Sequence, residues 1–300
     1  MKKRIALLLS VAMLVGMMAG CGGGSKDSGG GTTTTPAAEA GQTAGGTAEG
    51  GSGPAVPAHK ETLVIGTDAD INTLDLQKQQ DQINNIILKN THQTLVFFTN
   101  GADGEERFVP CLATDWEFKD DTHIVMHLRD DVYFNDGNKT PMTAEDVKFT
   151  LDMAMENMVA SNLAGYVACN VVDDHTIEIE IESYNNEFVQ TLASVPLSIQ
   201  SKKAYDDGVT DPFYIGTGPY KFDEWVEGEY CRIVKVADYW GNDIPAGENL
   251  APGVSDAIEF RPYIEASSRV IALQSGEIDV CVNPPINELQ YLEEDKNITV

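Results

Sequence analysis

Positive charge is scarce in this sequence. Only 20 Lys and Arg stand against 47 Asp and Glu, and the formal net charge over 300 residues is −27 at pH 7. A surface with that balance repels phosphate backbones, so nucleic acid is excluded as a partner. It weighs less heavily against anionic ligands, because a pocket can carry a field of its own sign, and solubility is its plain reading. Cysteine is sparse too. Cys21, Cys111, Cys169, Cys231 and Cys281 include no Cys-x-x-Cys or other close pair, so neither a zinc nor a redox motif is supported. Apart from Cys21, these residues either form two disulfides outside the cell or remain small buried thiols. A chain this long needs no staples, which favours thiols. Hydrolase signatures are missing: there is no Gly-x-Ser-x-Gly, His-Glu-x-x-His or Ser-x-x-Lys, and the chain reads as non-enzymatic. No Asp-x-Asp-x-Asp-Gly loop occurs, so Asp115, Asp120, Asp121, Asp130 and Asp131 read as a solvated acidic face rather than a calcium site. His123 and His127 lie on a predicted strand, where positions i and i+4 share a face without converging on one ion. No metal or cofactor is expected, and no internal repeat is visible.

What is present begins with an export pattern. Lys2, Lys3 and Arg4 precede an apolar run over residues 5–18 interrupted only by Ser10 and Gly16. That run is short for a membrane span and is followed by no charged stop, so residues 1–20 read as a signal peptide. Met18-Ala19-Gly20-Cys21 resembles the bacterial lipobox, with Met18 where Leu is usual. The resemblance implies cleavage before Cys21 and diacylglycerol on its sulfur, which would hold the protein on the outer face of the cell membrane. Residues 21–60 are rich in Gly, Ser, Thr, Ala and Pro and lack aromatics. They cannot bury enough surface to fold and read as a flexible tether. A leash of that length suits a Gram-positive surface.

Folded sequence begins near Glu61. Thr62-Leu63-Val64-Ile65-Gly66 predicts a buried strand. Ile83, Ile86 and Ile87, with Leu95 and Val96 beyond, predict a helix within 81–96. Ile124, Met126 and Leu128 alternate with more polar neighbours, as do Ile177, Ile179 and Ile181, and both runs predict strands with one apolar face. Thr143 with Asp146 three residues on resembles a capping box, opening a helix that buries Val147, Leu151 and Ala154. Gly216-Thr217-Gly218-Pro219-Tyr220 reads as a turn or crossing segment. A strand at 233–236, a helix at 267–273 and a strand at 277–282 follow. Strands and helices in this order imply an α/β fold with a mixed sheet. Trp116, Trp225 and Trp240 read as core.

Several strings together resemble one family. They are Leu63-Val64-Ile65-Gly66 with Thr73-Leu74-Asp75; Leu112-Ala113-Thr114-Asp115-Trp116-Glu117; His127-Leu128-Arg129-Asp130-Asp131-Val132-Tyr133-Phe134-Asn135-Asp136-Gly137; Pro141-Met142-Thr143-Ala144-Glu145-Asp146-Val147; Gly216 to Tyr220; Asp238-Tyr239-Trp240-Gly241; and Leu273-Gln274-Ser275-Gly276-Glu277-Ile278-Asp279. In this order they resemble the family 5 extracellular solute-binding proteins, the peptide and nickel receptors of ABC importers. The resemblance implies a periplasmic-binding-protein-like fold (type II, cluster C) of two lobes. Lobe I would comprise residues 61–97 and 184–300, with 98–183 inserted into it and the second lobe missing after 300. It implies a monomeric receptor that captures di- or oligopeptides and delivers them to permease subunits. A non-peptide solute such as a nickel chelate or oligosaccharide, a sensor role and a hydrolase remain as alternatives. The resemblance places Gln80, Asp81 and Gln82 at the ligand cleft, where amides and a carboxylate suit peptide N–H and C=O groups. A polar loop with Asp81 as helix N-cap is the competing reading. Thr217 and Gly218 fall where relatives cross near the cleft, and here a turn that needs glycine competes.

Overall fold

The computed structural model describes residues 60–78, 81–100, 106–245 and 250–300. The expected signal peptide, Cys21, the tether up to residue 59 and Gln80 lie outside the described residues. In chain order the elements are β1 (Thr62–Thr67), α1 (Gln82–Thr91), β2 (Val96–Asn100), β3 (Glu106–Pro110), β4 (Ala113–Phe118), β5 (His123–Leu128), α2 (Ala144–Met155), β6 (Tyr166–Asp173), β7 (Thr176–Ile181), α3 (Phe188–Thr191), α4 (Lys202–Asp206), β8 (Tyr220–Val226), β9 (Tyr230–Lys235), β10 (Ala257–Pro262), α5 (Ala266–Ser275), β11 (Val280–Cys281) and α6 (Ile286–Glu294). Short 3₁₀ turns lie between several of them.

The main sheet has five strands in the order β11-β1-β10-β9-β8. β1 runs parallel to both β10 and β11, whereas β9 is antiparallel to β10 and to β8. One face carries Leu63 and Ile65 of β1 into a core with Ile83, Ile87 and Leu88 of α1, Ile233 of β9 and Phe260 of β10. On the other face Gly66 lies under α5, and a Cβ added there would fall 2.4 Å from Ile278 and 3.5 Å from the Arg269 stem. A second, antiparallel sheet runs β4-β5-β7-β6, and β2 and β3 form a separate two-stranded ladder.

The second sheet buries the predicted residues. Ile124, Met126, Ile177 and Ile179 are fully buried and pack with Val147, Leu151 and Ala154 of α2. Each of the larger of these side chains contributes roughly 1.5–3 kcal/mol relative to exposure. This core also takes in Leu95, Val96, Phe188, Leu192, Leu197 and Ile199, so segments on both sides of the sheet's own strands complete it. Trp116 and Trp240 pack against this core and Trp225 against the first. α2 opens as its sequence indicates: the Asp146 carboxylate accepts from the Thr143 N–H at 2.8 Å and its hydroxyl at 3.1 Å.

Two expectations need correction. The helix predicted within 81–96 ends at Thr91, and His92 is extended (φ −127°, ψ 160°). Residues 93–95 are claimed by other segments instead. The Gln93 carbonyl accepts from Ile199 N–H, that of Thr94 from Leu112, and that of Leu95 from Cys111 and Ala113. The strand predicted at 277–282 is ladder-paired only at Val280 and Cys281. The N–H groups of Glu277 and Ile278 are spent on the Ala272 carbonyl, closing α5 after Gly276 (φ 77°).

Candidate ligand-binding edge

Three neighbouring strands, β1, β10 and β11, point the same way and end together at Thr67, Pro262 and Cys281. In open α/β sheets the crevice beyond the carboxyl ends of parallel strands is where ligands collect. The described segments leaving this edge are 68–78, 263–265 and 282–285. Thr67 anchors the first: its buried hydroxyl lies 2.9 Å from the Ala69 carbonyl and 3.2 Å from that of Arg261. The Tyr263 N–H returns to the Thr67 carbonyl at 2.8 Å, and the Val282 N–H to that of Gly66 at 2.9 Å, so both partner loops start in register with β1.

The first loop turns back onto α1 through side chains. Asp75 accepts from Gln77 N–H at 3.0 Å, a local turn that suits a short carboxylate, and pairs with Lys78 at 2.8 Å. Asp81 occupies the N-cap position of α1 with extended backbone, but it makes no capping bond. Its carboxylate instead accepts from Asn72 Nδ2 at 2.6 Å, and Asn72 Oδ1 accepts from Asn84 Nδ2 at 2.8 Å. Asp81 and Gln82 are both exposed. Asp68, Asp70 and Asp81 give the edge a negative character.

Thr217 and Gly218 lie elsewhere, against the C-terminal end of α1. Thr217 is fully buried; its hydroxyl donates to Gln93 Oε1 at 2.8 Å and its carbonyl accepts from Trp240 Nε1 at 2.9 Å. Gly218 donates to the Thr91 carbonyl at 2.9 Å, and Asn135 Nδ2 donates to the Gly218 carbonyl at 2.9 Å. Gln93 also donates to the Tyr239 hydroxyl at 2.8 Å, so one buried amide joins three segments. The rise of α1 separates Gln82 from this node by roughly 14 Å. The structure therefore keeps the sequence-predicted residues in two groups. His92 beside the node is buried, and burial pushes its imidazole down to about 4.

Sequence reasoning missed Arg269 and Asn283 at the edge. A signal was available in each. Arg269 falls in the buried register of α5, three residues before Ala272, where a cation is out of place. Asn283 is a left-handed residue (φ 49°) directly before Pro284 and Pro285.

An open parallel edge on a mixed α/β sheet, with a second antiparallel sheet attached, is an architecture shared with solved periplasmic binding proteins. The family "Bacterial extracellular solute-binding proteins, family 5 Middle" matches residues 107–300, and the chain belongs to it. The glutathione-binding protein GsiB of Escherichia coli (strain K12) is 29% identical over 244 residues, which cover 79% of this chain and 45% of that protein. Among solved structures, the periplasmic binding protein DppA of Helicobacter pylori in complex with peptide STSA is 28% identical with a TM-score of 0.67, covering 79% of this chain and 49% of that one. The nickel ABC transporter structure from Bacillus halodurans is 25% identical with a TM-score of 0.65, covering 79% and 46%. The chain thus spans about half the length of the relatives it matches.

Proposed function

We propose that this chain is the solute-capturing component of an ABC importer and that it takes di- or oligopeptides at the carboxyl edge of β1, β10 and β11. The family match across residues 107–300 carries this reading. Peptides are favoured because the similar GsiB is a glutathione-binding protein and the similar DppA structure holds a peptide. In this reading residues 61–97 and 184–300 form lobe I, residues 98–183 are inserted into it, and a second lobe closes over the edge. Ligand contacts on both lobes exist only in the closed state, so binding shifts the hinge equilibrium. Gln80, Asp81 and Gln82 face the peptide backbone, with Thr217 and Gly218 near the crossing between segments. The protein does no chemistry on its ligand. It acts as a monomer, lipidated at Cys21 and tethered outside the cell membrane of a Gram-positive cell, and hands its cargo to permease subunits.

A nickel chelate is the second reading, supported by the 25% identity to the Bacillus halodurans structure. A thermal-shift screen of the protein expressed from its own gene separates the two. Peptides of two to five residues, glutathione, nickel–histidine and oligosaccharides are the ligands. A ligand at 100 times its Kd stabilises by about 2.7 kcal/mol, a readily measured rise in Tm. Peptides that leave Tm unchanged while nickel–histidine or a sugar raises it would overturn the peptide assignment.

A further inference from the structure

The three loops at the carboxyl edge are tied to one another by two side chains. Arg269 of α5 is 3% exposed, and its stem passes over Gly66 of β1. Its guanidinium donates through Nη1 to the Tyr263 carbonyl, in the loop after β10. Through Nη2 it donates to the Asn283 carbonyl at 3.0 Å, in the loop after β11. Asn283 in turn donates from Nδ2 to Asp68 Oδ2 at 2.9 Å, in the loop after β1. A left-handed backbone, which Asn tolerates better than most residues, lets Asn283 serve both neighbours.

The charge makes this arrangement unusual. Among the described residues Arg269 forms no ion pair, and its buried Nε has no partner. A buried cation without a counter-ion is costly, and an apolar side chain would fill the same register of α5 at no such cost. Helix formation and core packing therefore do not account for it. What the guanidinium supplies is a planar fork of donors that reaches two carbonyls at once. Both acceptors are backbone atoms, so the tie holds whatever side chains those loops display.

We propose that Arg269 and Asn283 form a clasp that fixes the three loops as one rim. Arg269 is then a positioning residue for ligand capture that does not touch the ligand, a role that rests on the receptor reading above. A rim ordered in advance lowers the entropy lost when the ligand binds.

Hydrogen exchange on the protein expressed from its own gene tests the clasp. In Arg269→Met, amides of 68–73, 280–283 and 286–287 should exchange faster by about tenfold or more, with β4 to β7 unchanged. Arg269→Lys, which keeps the charge but not the fork, should fall between. Asn283→Gly keeps the left-handed backbone and the carbonyl acceptor, so it should fold even where Arg269→Met does not, and it should loosen 68–73. Unchanged exchange in these loops, or a rise shared equally with β4 to β7, overturns the clasp. Calorimetry with Ser-Thr-Ser-Ala tests the positioning role, with Ile179→Val in the second sheet as a control of stability. Weaker binding in Arg269→Met and normal binding in Ile179→Val supports it. Equal affinity in Arg269→Met and wild type, or losses in both variants that follow Tm, overturns it. A wild-type protein that binds no peptide overturns the peptide assignment, and the exchange data then judge the clasp alone.

Discussion

His92 is a single residue with a measurable consequence. It sits 3% exposed beside the Gln93 node, with Nδ1 2.9 Å from the Thr91 hydroxyl and no partner for Nε2. Its folded value of about 4 lies below the ordinary 6.5, because burial disfavours the imidazolium. The unfolded chain therefore binds this proton first as pH falls. The stability that depends on neutral His92 is complete above about 6.5 and is lost progressively toward pH 4, on the order of 3 kcal/mol in all. Urea midpoints at pH 7 and pH 4.5 should differ by less in His92→Asn than in wild type; an equal difference would dismiss His92 as the cause. The thiols of Cys111, Cys169 and Cys231 are buried and pushed up to about 12 by that burial. Alkylation of native protein at pH 8 should leave all three unlabelled, and denaturant should expose them. Chain length favoured free thiols but left two disulfides open as the alternative, and only the structure decides for thiols at Cys111, Cys169, Cys231 and Cys281. That His92 is buried was not legible in the sequence, because the backbone that covers its ring, at Gly216, comes from a distant part of the chain. If Cys21 carries the proposed lipid, Cys21→Ala should release the protein into the medium or leave its precursor unprocessed, as followed by cell fractionation; unchanged anchoring would remove the lipid proposal.

At the level of elements, the capping box of α2 shows local sequence being obeyed. Asp146 adds a bond the motif does not predict: Oδ1 accepts from the Lys202 N–H at 2.9 Å, joining the starts of α2 and α4. Asp146→Ala should cost about 1–3 kcal/mol, at the upper end of cap deletions because a second helix loses its acceptor too. The crossing segment is tighter still. A Cβ at Gly216 would lie 2.1 Å from the Thr91 carbonyl oxygen, and one at Gly218 2.6 Å from that of Asn90. Backbone cannot yield as a side-chain tip can, so Gly216→Ala should destabilise by about 1–3 kcal/mol or more, read as a lower denaturant midpoint at constant m-value. α1 shows where local pattern misleads. Leu95 and Val96 continue its apolar spacing, but both belong to the core of the other sheet. Periodicity reports that a residue is buried, not against which partner.

On the scale of the whole molecule, the described residues carry one edge of parallel strands and its loops, and the matched relatives are about twice as long. If that edge is one jaw of a clamp, residues 60–300 alone should bind peptides far more weakly than a relative of full length. Tight binding of Ser-Thr-Ser-Ala to residues 60–300 by calorimetry would contradict the two-lobed reading. The node of Gln93, Thr217, Tyr239 and Trp240 packs the crossing segment between the two sheets, reinforced by Arg129 stacked 4.6 Å above the Trp240 ring.

Sequence alone determined the alternating strands β5 and β7, the start of α2, the α/β class and the family, because each depends on nearby residues or on strings shared with relatives. Tertiary structure alone decided which residues meet. β1 pairs with strands that begin at Ala257 and Val280, and the Asn283–Asp68 bond spans 215 positions. Whether Thr217 lies beside Gln82 or at the far end of α1, and whether a lone arginine is surface charge or a buried tie, depends on those distant pairings. No local periodicity encodes them.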